Sequence, residues 1–446
     1  MNLTLKQIRN IIVGLALLLL AGQFGYWLGK NDVKFSPASW RIQFLKAKIP
    51  LVKPVITGAN VPTNRAEVDF SLFWEVWDRL EKTYLNRSDV DSQKMVWGAI
   101  SGMTAALHDP YTVFLPPDEN KATKEDLNGA FEGVGIQLGY KDGNQLAVMA
   151  PLSGMPAEKA GIKAGDLILH IKDVTKAIDQ DTFGVTLPEA VKLIRGPKGT
   201  TVTLTLFREG AKEPFKVDLQ RDTIVVPSVE VKFGFLDNNR WQEGKESQPE
   251  TKLVAWLKLA RFGDLTDKQW DKAVEAITVK CSQANGGPKC AGVVLDLRNN
   301  PGGYLNGAVN LAGEFLSQGK LVVKQEGADG VQTDYKVERI GRLTSIPLVV
   351  LVNGGSASAS EILAGALRDW DRAKIVGEKT FGKGTIQEAM DLRLGAGLHV
   401  TVAKWLLPKG QWVHKEGIKP DIEVKPDDKD QTNDVQLVKA AEELLK

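Results

Sequence analysis

The feature that most constrains this chain is a set of largely apolar segments, separated by helical ones, in its second half. "LVAWLKLARF" (253–262), "AGVVLDLR" (291–298) and "IPLVVLVN" (346–353) are hydrophobic runs of strand length. Between them, "DKQWDKAVEAITVKC" and "YLNGAVNLAGEFL" repeat their apolar residues at helical spacing. A strand that is apolar on both faces must be covered on both, and intervening helices supply that cover. Residues 223–446 are therefore expected to form an α/β core built on a mostly parallel sheet. Function in such sheets gathers where the strands end at their carboxyl side. Three segments fall there: "DLRNNPGGYL", "NGGSASASE" and "GEKTFGKGTIQE".

The rest of the chain reads as smaller units. With 446 residues, 43% hydrophobic and 25% charged, it is long enough for two or three domains with a large core. A net charge of +2 is too near neutral to point to nucleic acid. Residues 1–10 are a short tail. Residues 11–29, "IIVGLALLLLAGQFGYWLG", carry no charge and as a helix would reach about 28 Å, so a retained transmembrane anchor is expected. Tyr26 and Trp27 close it as interfacial aromatics, and 30–64 follows as a juxtamembrane linker. More lysines and arginines follow this run than precede it, so the charge count alone would keep the C-terminal part in the cytoplasm. Residues 65–127 read as a small helical segment, with Phe70, Phe73, Trp74, Trp77 and Leu80 spaced as a core stripe.

From 128 to 222 the texture changes to short apolar runs and Gly-rich turns, interrupted by "MPAEKAG" and "TLPEAVKLIRG". That order resembles a PDZ domain, with a carboxylate-binding type of loop at Gly133, Val134, Gly135 and Ile136. Successive N–H groups of such a loop can hold a peptide's terminal carboxylate, while the next strand takes the peptide as an added strand. Arg195, closing the helix of this unit, is either a solvated helix C-terminus or a contact that reports ligand binding.

The "NGGSASASE" segment raises a chemical question. Strand, glycine turn, serine and helix is the geometry that lifts a hydroxyl out of a sheet. The same residues also spell a capping box, Ser358 with Glu361 three positions on. A nucleophile needs a base, and the four histidines, His108, His170, His399 and His414, lie in unrelated segments. A lysine can serve if its pKa of about 10.4 falls by roughly three units, about 4 kcal/mol of differential solvation. Lys383, between two glycines ahead of an apolar strand, is the candidate. Gln387 lies four residues later on the same face of that strand and could orient it. Gly377 to Lys383 also fits the start of a phosphate-binding loop, but position 384 is Gly where Ser or Thr should ligate magnesium, and no helix follows.

"VNGGSASASEILAGALRDW" together with "VGEKTFGKGTIQE", "LDLRNNPGG" and "GIKPDIEV" resembles the carboxyl-terminal processing peptidases, the tail-specific serine proteases, over residues 67 to 425. The resemblance implies Ser358 as nucleophile, Lys383 as base and Gln387 as its partner. It places the oxyanion between the N–H groups of Ala359 and a glycine of "NNPGG", Gly303 or else Gly302, with Asp369 as structural support. No metal or cofactor is implied. The implied partners are proteins or peptides with free apolar C-termini, with a homo-oligomer or an adaptor left open. An extracytoplasmic protease domain is implied as well, despite the charge count. Cys281 and Cys290, nine positions apart, then either form a disulfide, as export predicts, or remain thiols. The competing reading is a membrane-tethered PDZ scaffold with an inactive protease domain, and the intact Ser358, Lys383 and Gln387 argue against it.

Overall fold

The computed structural model describes residues 68–141, 145–244, 252–281, 290–427, 430 and 433–446. The chain divides into two compact units, Met1–Val90 and Asp91–Lys446. The tail, the anchor expected at 11–29 and the linker to 64 lie outside the described residues. Among the described residues no helix is long and apolar enough to cross a membrane. Membrane anchoring, the single-pass placement and the extracytoplasmic location are therefore withdrawn from the functional reading.

The described part of the first unit is chiefly one helix, α1 (Ser71–Thr83). Its aromatic stripe was expected in a core, but no residue of α1 is buried. Its rings pack on one another instead, with Phe73 and Trp74 centroids 4.9 Å apart.

The second unit opens with α2 (Ser92–Ala105), β1 (Val113–Leu115) and α3 (Pro117–Asn128). Asp91 caps α2 by accepting the N–H groups of Gln93 and Lys94. Gly129, at φ 64°, ends α3 in the left-handed conformation that favours glycine. A β-rich module follows: β2 (Ala130–Gly133), β3 (Ile136–Lys141), β4 (Gln145–Pro151), α4 (Pro156–Lys159), β5 (Leu167–Asp173), β6 (Ile178–Asp181), α5 (Leu187–Ile194), β7 (Thr201–Phe207), β8 (Phe215–Gln220) and β9 (Asp222–Val225). Alternating inward residues such as Val202, Leu204 and Leu206 on β7 build its separate core. Thr186 and Glu189 form a reciprocal capping box that fixes where α5 begins. Among the described residues the strand β3 pairs only with β4, and no strand lies on its other edge.

The remaining elements are β10 (Val229–Asp237), β11 (Arg240–Glu243), β12 (Leu253–Leu259), α6 (Thr266–Cys281), β13 (Cys290–Asp296), α7 (Leu305–Ala312), β14 (Leu321–Gly327), β15 (Gln332–Lys336), β16 (Leu348–Val352), α8 (Ala359–Asp369), β17 (Lys374–Gly377), β18 (Thr385–Asp391), β19 (Gly397–Leu406), β20 (Ile422–Glu423) and α9 (Val435–Leu445). A seven-stranded sheet runs β11-β10-β12-β13-β16-β17-β20. Its β16, "LVVLV", is buried at every position, as a central strand covered on both faces must be. Residues of α6, α7 and α8 cover one face and α9 covers the other.

The expected mostly parallel core needs correction. Parallel pairing is confined to the four ladders from β12 to β20, whereas β10 pairs antiparallel with both its neighbours. A second, five-stranded sheet, β1-β19-β14-β15 with β18 on β19, is wholly antiparallel. Across both sheets six ladders are antiparallel and four parallel. The physical reason is connectivity: β18 and β19 follow one another through a short turn, and such a link can join only antiparallel neighbours.

Candidate active site

The three segments expected at strand ends do converge. β13 runs into Asn299–Gly303, β16 into Asn353–Ser358, and β17 into Glu378–Lys383. Asn300, fully buried, knits the first two: its side chain accepts the N–H of Gly302 and donates to the Leu259 carbonyl, and its own carbonyl accepts the N–H of Ala357 and the hydroxyl of Ser360.

The three serines have different surroundings. Ser356 is buried, donates to the Leu297 carbonyl at 2.8 Å and accepts the Asn353 N–H at 3.0 Å. Ser360 is buried and donates to the Asn300 carbonyl at 2.9 Å. Ser358 is only partly buried, sits at φ 55° and ψ −115° as the N-cap of α8, and its hydroxyl donates to no group among the described residues. A side chain held at positive φ costs on the order of 1–3 kcal/mol and persists only where its surroundings impose it. Here they do: a Cβ on Gly302 would stand 2.9 Å from both the Ser358 Cβ and the Ala357 oxygen.

Beside Ser358, two N–H groups have no protein acceptor among the described residues: Ala359, at the first turn of α8, and Gly303. Gly302 is different, because its N–H is taken by Asn300 at 2.9 Å. Gly303 is held by a parallel bridge to Phe262, so close that a Cβ there would lie 2.0 Å from the Phe262 oxygen.

The buried carboxylate of Glu361 fastens the Ser358 segment to the Lys383 segment. It accepts the N–H of Ser358 at 2.9 Å, the N–H of Gly382 at 2.7 Å, the N–H of Lys383 at 2.9 Å and the hydroxyl of Thr380 at 2.6 Å. Glu361, the acid of the capping box read from sequence, thus also fixes the backbone of Lys383. Lys383 is held below its usual pKa by burial, against the opposing charge of Asp109. Its Nζ lies 5.0 Å from the centroid of the Tyr111 ring, and no hydrogen bond joins it to Ser358. Gln387, on β18, donates its amide to Thr385 at 2.9 Å and to Thr401 at 3.1 Å, which leaves Oε1 available. Asp369 accepts the Lys409 N–H from a buried position. A cleft of about 620 Å³ flanks Gly303, lined by Phe262, Tyr304, Leu305, Tyr335 and Ile386 among others.

The Asp109–Thr112 loop was missed as part of the site. It comes from the N-terminal helical segment, and its one sequence signal was "HDPYTVFLPPDE", where prolines break the helical pattern. The short strand that follows the loop is β1, and its pairing with β19 brings the loop to Lys383.

In the β-rich module, Gly133 ends β2 and Ile136 begins β3, with Val134 and Gly135 as the short link between them. A small cavity of about 60 Å³ is lined by these four with Leu138, Val191 and Arg195. Gly135, at φ 74°, cannot carry a side chain, since its Cβ would stand 2.4 Å from that of Met155. Arg195 lies 4.0 Å over the Phe131 ring and 3.6 Å from a Glu125 oxygen, so it is not a merely solvated helix end. The structure joins Cys281 to Cys290, with Cα atoms 5.0 Å apart.

Comparison with known proteins follows the same lines. The family model of Peptidase family S41 matches residues 253–424, that of the PDZ domain 123–207, and that of the activating protease CtpB N-terminal domain 42–119. The carboxy-terminal processing protease CtpA of Bacillus subtilis (strain 168) is 36% identical over 351 residues, covering 79% of this chain and 68% of that protein. Its CtpB is 32% identical over 356 residues, with the same coverage. The fold is shared with the crystal structure of a putative S41 protease from Bacteroides fragilis NCTC 9343, at TM-score 0.50 and 18% identity, over 82% of this chain and 96% of that one. With that identity over most of its length, this chain belongs to peptidase family S41, among the CtpA- and CtpB-like carboxy-terminal processing proteases, and is a serine-type peptidase.

Proposed function

We propose that the protein is an endopeptidase that recognises substrate C-terminal tails through its PDZ domain and cleaves peptide bonds by a Ser358–Lys383 acyl-enzyme mechanism. The observation that carries it is the contrast among the serines: among the three, only Ser358 has an uncommitted hydroxyl proton, and it stands beside two N–H groups with no acceptor among the described residues and near a half-buried lysine. In this reading Lys383, neutral, takes the Ser358 proton as Oγ attacks the scissile carbonyl. The N–H groups of Ala359 and Gly303 hold the oxyanion. Gln387 Oε1 orients the amine. Lys383 then returns the proton to the leaving amine, and water releases the acyl group. Nζ must leave the Tyr111 ring to reach Oγ, and such contacts often tighten only with substrate bound.

The division we propose is a helical segment at 65–127, a PDZ domain at 128–222 and a protease domain at 223–446, with a Cys281–Cys290 disulfide in the last. Tail binding is supported by the open edge of β3 and by the apolar lining beside the Gly133–Ile136 loop. The test is hydrolysis of an unstructured peptide with a free apolar C-terminus. Cleavage lost in Ser358→Ala supports the reading, and a wild-type protein that binds the peptide without cutting it returns the scaffold reading.

A further inference from the structure

We propose that Thr266 is a positioning residue for the oxyanion site: its hydroxyl sets the direction of the Gly303 N–H through two intervening peptide groups. The inference rests on the reading of that N–H as an oxyanion donor.

A peptide group is planar and trans, so its C=O and its N–H point in opposite directions. The Gly302 carbonyl and the Gly303 N–H belong to one such group, and whatever holds the carbonyl aims the N–H. Glycines flank this group on both sides, at φ 104° for Gly302 and 134° for Gly303. With no Cβ on either of them, rotation of the whole group meets little steric resistance. Tertiary contact must therefore supply the direction. Among the described residues the Gly302 carbonyl accepts one hydrogen bond, from the Phe262 N–H at 2.9 Å. The Phe262 carbonyl in turn accepts the Tyr304 N–H at 2.9 Å, so Phe262 holds the chain on both sides of Gly303.

The same geometry recurs one step back. The Phe262 N–H shares its peptide group with the Arg261 carbonyl, and that carbonyl accepts the Thr266 hydroxyl at 3.1 Å. A threonine hydroxyl has one proton to give and lone pairs with which to accept. Thr266 uses both, since its oxygen also takes the Gly263 N–H at 2.9 Å. One buried hydroxyl at the start of α6 thus ties together the residues on either side of Phe262. The series passes from the Thr266 hydroxyl to the Arg261–Phe262 group, then to the Gly302–Gly303 group, and ends at the Gly303 N–H beside Ser358. Each hydrogen bond in such a series polarises the next, so the last donor is strengthened as well as aimed.

The surroundings make this segment a fixed support. The Phe262 ring is buried in the core, and the Arg261 guanidinium donates to the carbonyl and the carboxylate of Asp126 near the end of α3. The Asp264 N–H goes to the Leu127 carbonyl at 3.1 Å, and a Cβ on Gly263 would stand 2.0 Å from the same oxygen. With both flanks held, loss of the Thr266 hydroxyl should turn the Arg261–Phe262 group rather than displace the segment. Thr266 also lines the cleft beside Gly303, so the test separates an effect on the oxyanion from one on substrate side chains.

The full-length protein is assayed on an unstructured peptide with a free apolar C-terminus, with thermal melts for every variant. Inhibition by a peptide aldehyde ending at the scissile residue is measured alongside. Addition of Ser358 Oγ across its C=O places a charge-bearing oxygen where the oxyanion forms, which substrate binding alone does not. Thr266→Val, which removes the hydroxyl at nearly constant shape, should lower kcat on the order of 10- to 100-fold with KM nearly unchanged, somewhat less than outright loss of an oxyanion donor. Aldehyde affinity should fall by a similar factor. Thr266→Ser, which keeps the hydroxyl, should recover most of both losses. If Thr266→Val does not fold, Thr266→Ala is measured in its place and judged alike. Wild-type kcat in the folded variant, a loss confined to KM, a lowered kcat with unchanged aldehyde affinity, or no recovery in Thr266→Ser overturns the proposal. Hydrolysis by Ser358→Ala removes the nucleophile on which the oxyanion reading depends, a separate result from normal turnover in Thr266→Val.

Discussion

Replacing Ser356, Ser358 and Ser360 by alanine, one at a time, should rank the three variants differently for stability and for activity. Ser356→Ala removes a donor to Leu297 and an acceptor for the Asn353 N–H, both in the buried interior. The Leu297 carbonyl keeps the Asn300 N–H at 3.2 Å, but no second acceptor for Asn353 N–H is present among the described residues. One lost hydrogen bond at about 1 kcal/mol and one stranded donor at about 1–3 kcal/mol give a cost of roughly 2–4 kcal/mol. Ser360→Ala loses one bond, and the Asn300 carbonyl keeps the Ala357 N–H at 3.0 Å, so about 1 kcal/mol is expected. Ser358→Ala loses at most a weak cap, because the strong half of its capping box is the backbone N–H to Glu361, which alanine retains. Its cost should stay within about 1 kcal/mol. Urea midpoints at unchanged slope should therefore fall in the order Ser358→Ala, Ser360→Ala, Ser356→Ala, from least to most destabilised. Peptide hydrolysis and labelling by a serine-directed acylating probe should vanish in Ser358→Ala alone. Ser358→Gly should be inactive yet at least as stable as wild type, since glycine relieves the strain at φ 55°. The reasoning is refuted if Ser358→Ala is the most destabilised of the three, or if it still turns over substrate.

In the proposed mechanism the neutral amine is the active form, and since burial lowers the Lys383 pKa, activity should rise with pH through a midpoint below that of a free lysine. Lys383→Arg should be inactive at every pH tested, as a guanidinium does not deprotonate; measurable hydrolysis by it would rule out the dyad. Amidating the C-terminus of the peptide should weaken cleavage several-fold with unchanged scissile bonds. Gly135→Ala, whose Cβ would collide with Met155, should remove that discrimination, and equal cutting of free and amidated tails by wild type would refute tail recognition. Mass spectrometry should find Cys281 and Cys290 joined, and reduction should cost about 2–3 kcal/mol for so short a loop; two free thiols in unreduced protein would contradict it.

Much of the protein was written locally in the sequence. Apolar runs covered on both faces specified the central strands, and they also placed the three site segments, since each follows directly from the strand before it. "NGGSASASE" carried its own turn, cap and helix, so Ser358 and Glu361 were legible as neighbours. Sequence could not decide which serine is uncommitted. The partners that occupy Ser356 and Ser360 lie on Leu297 and Asn300, about sixty positions away. Nor could it choose between Gly302 and Gly303 as the glycine with a free N–H, because the choice depends on the Asn300 side chain turning back onto Gly302. The sheet was overread as mostly parallel for a related reason. Strand periodicity reports which faces are buried, whereas direction depends on what each strand pairs with, and β19 gathers β1, β14 and β18 from distant parts of the chain. The same pairing carries Asp109 and Tyr111 to Lys383 across more than 270 residues of sequence. Local chemistry therefore determined the Ser358 segment and the Lys383 turn, while long-range strand pairing alone decided what surrounds Lys383, because no local pattern encodes a contact between segments so far apart.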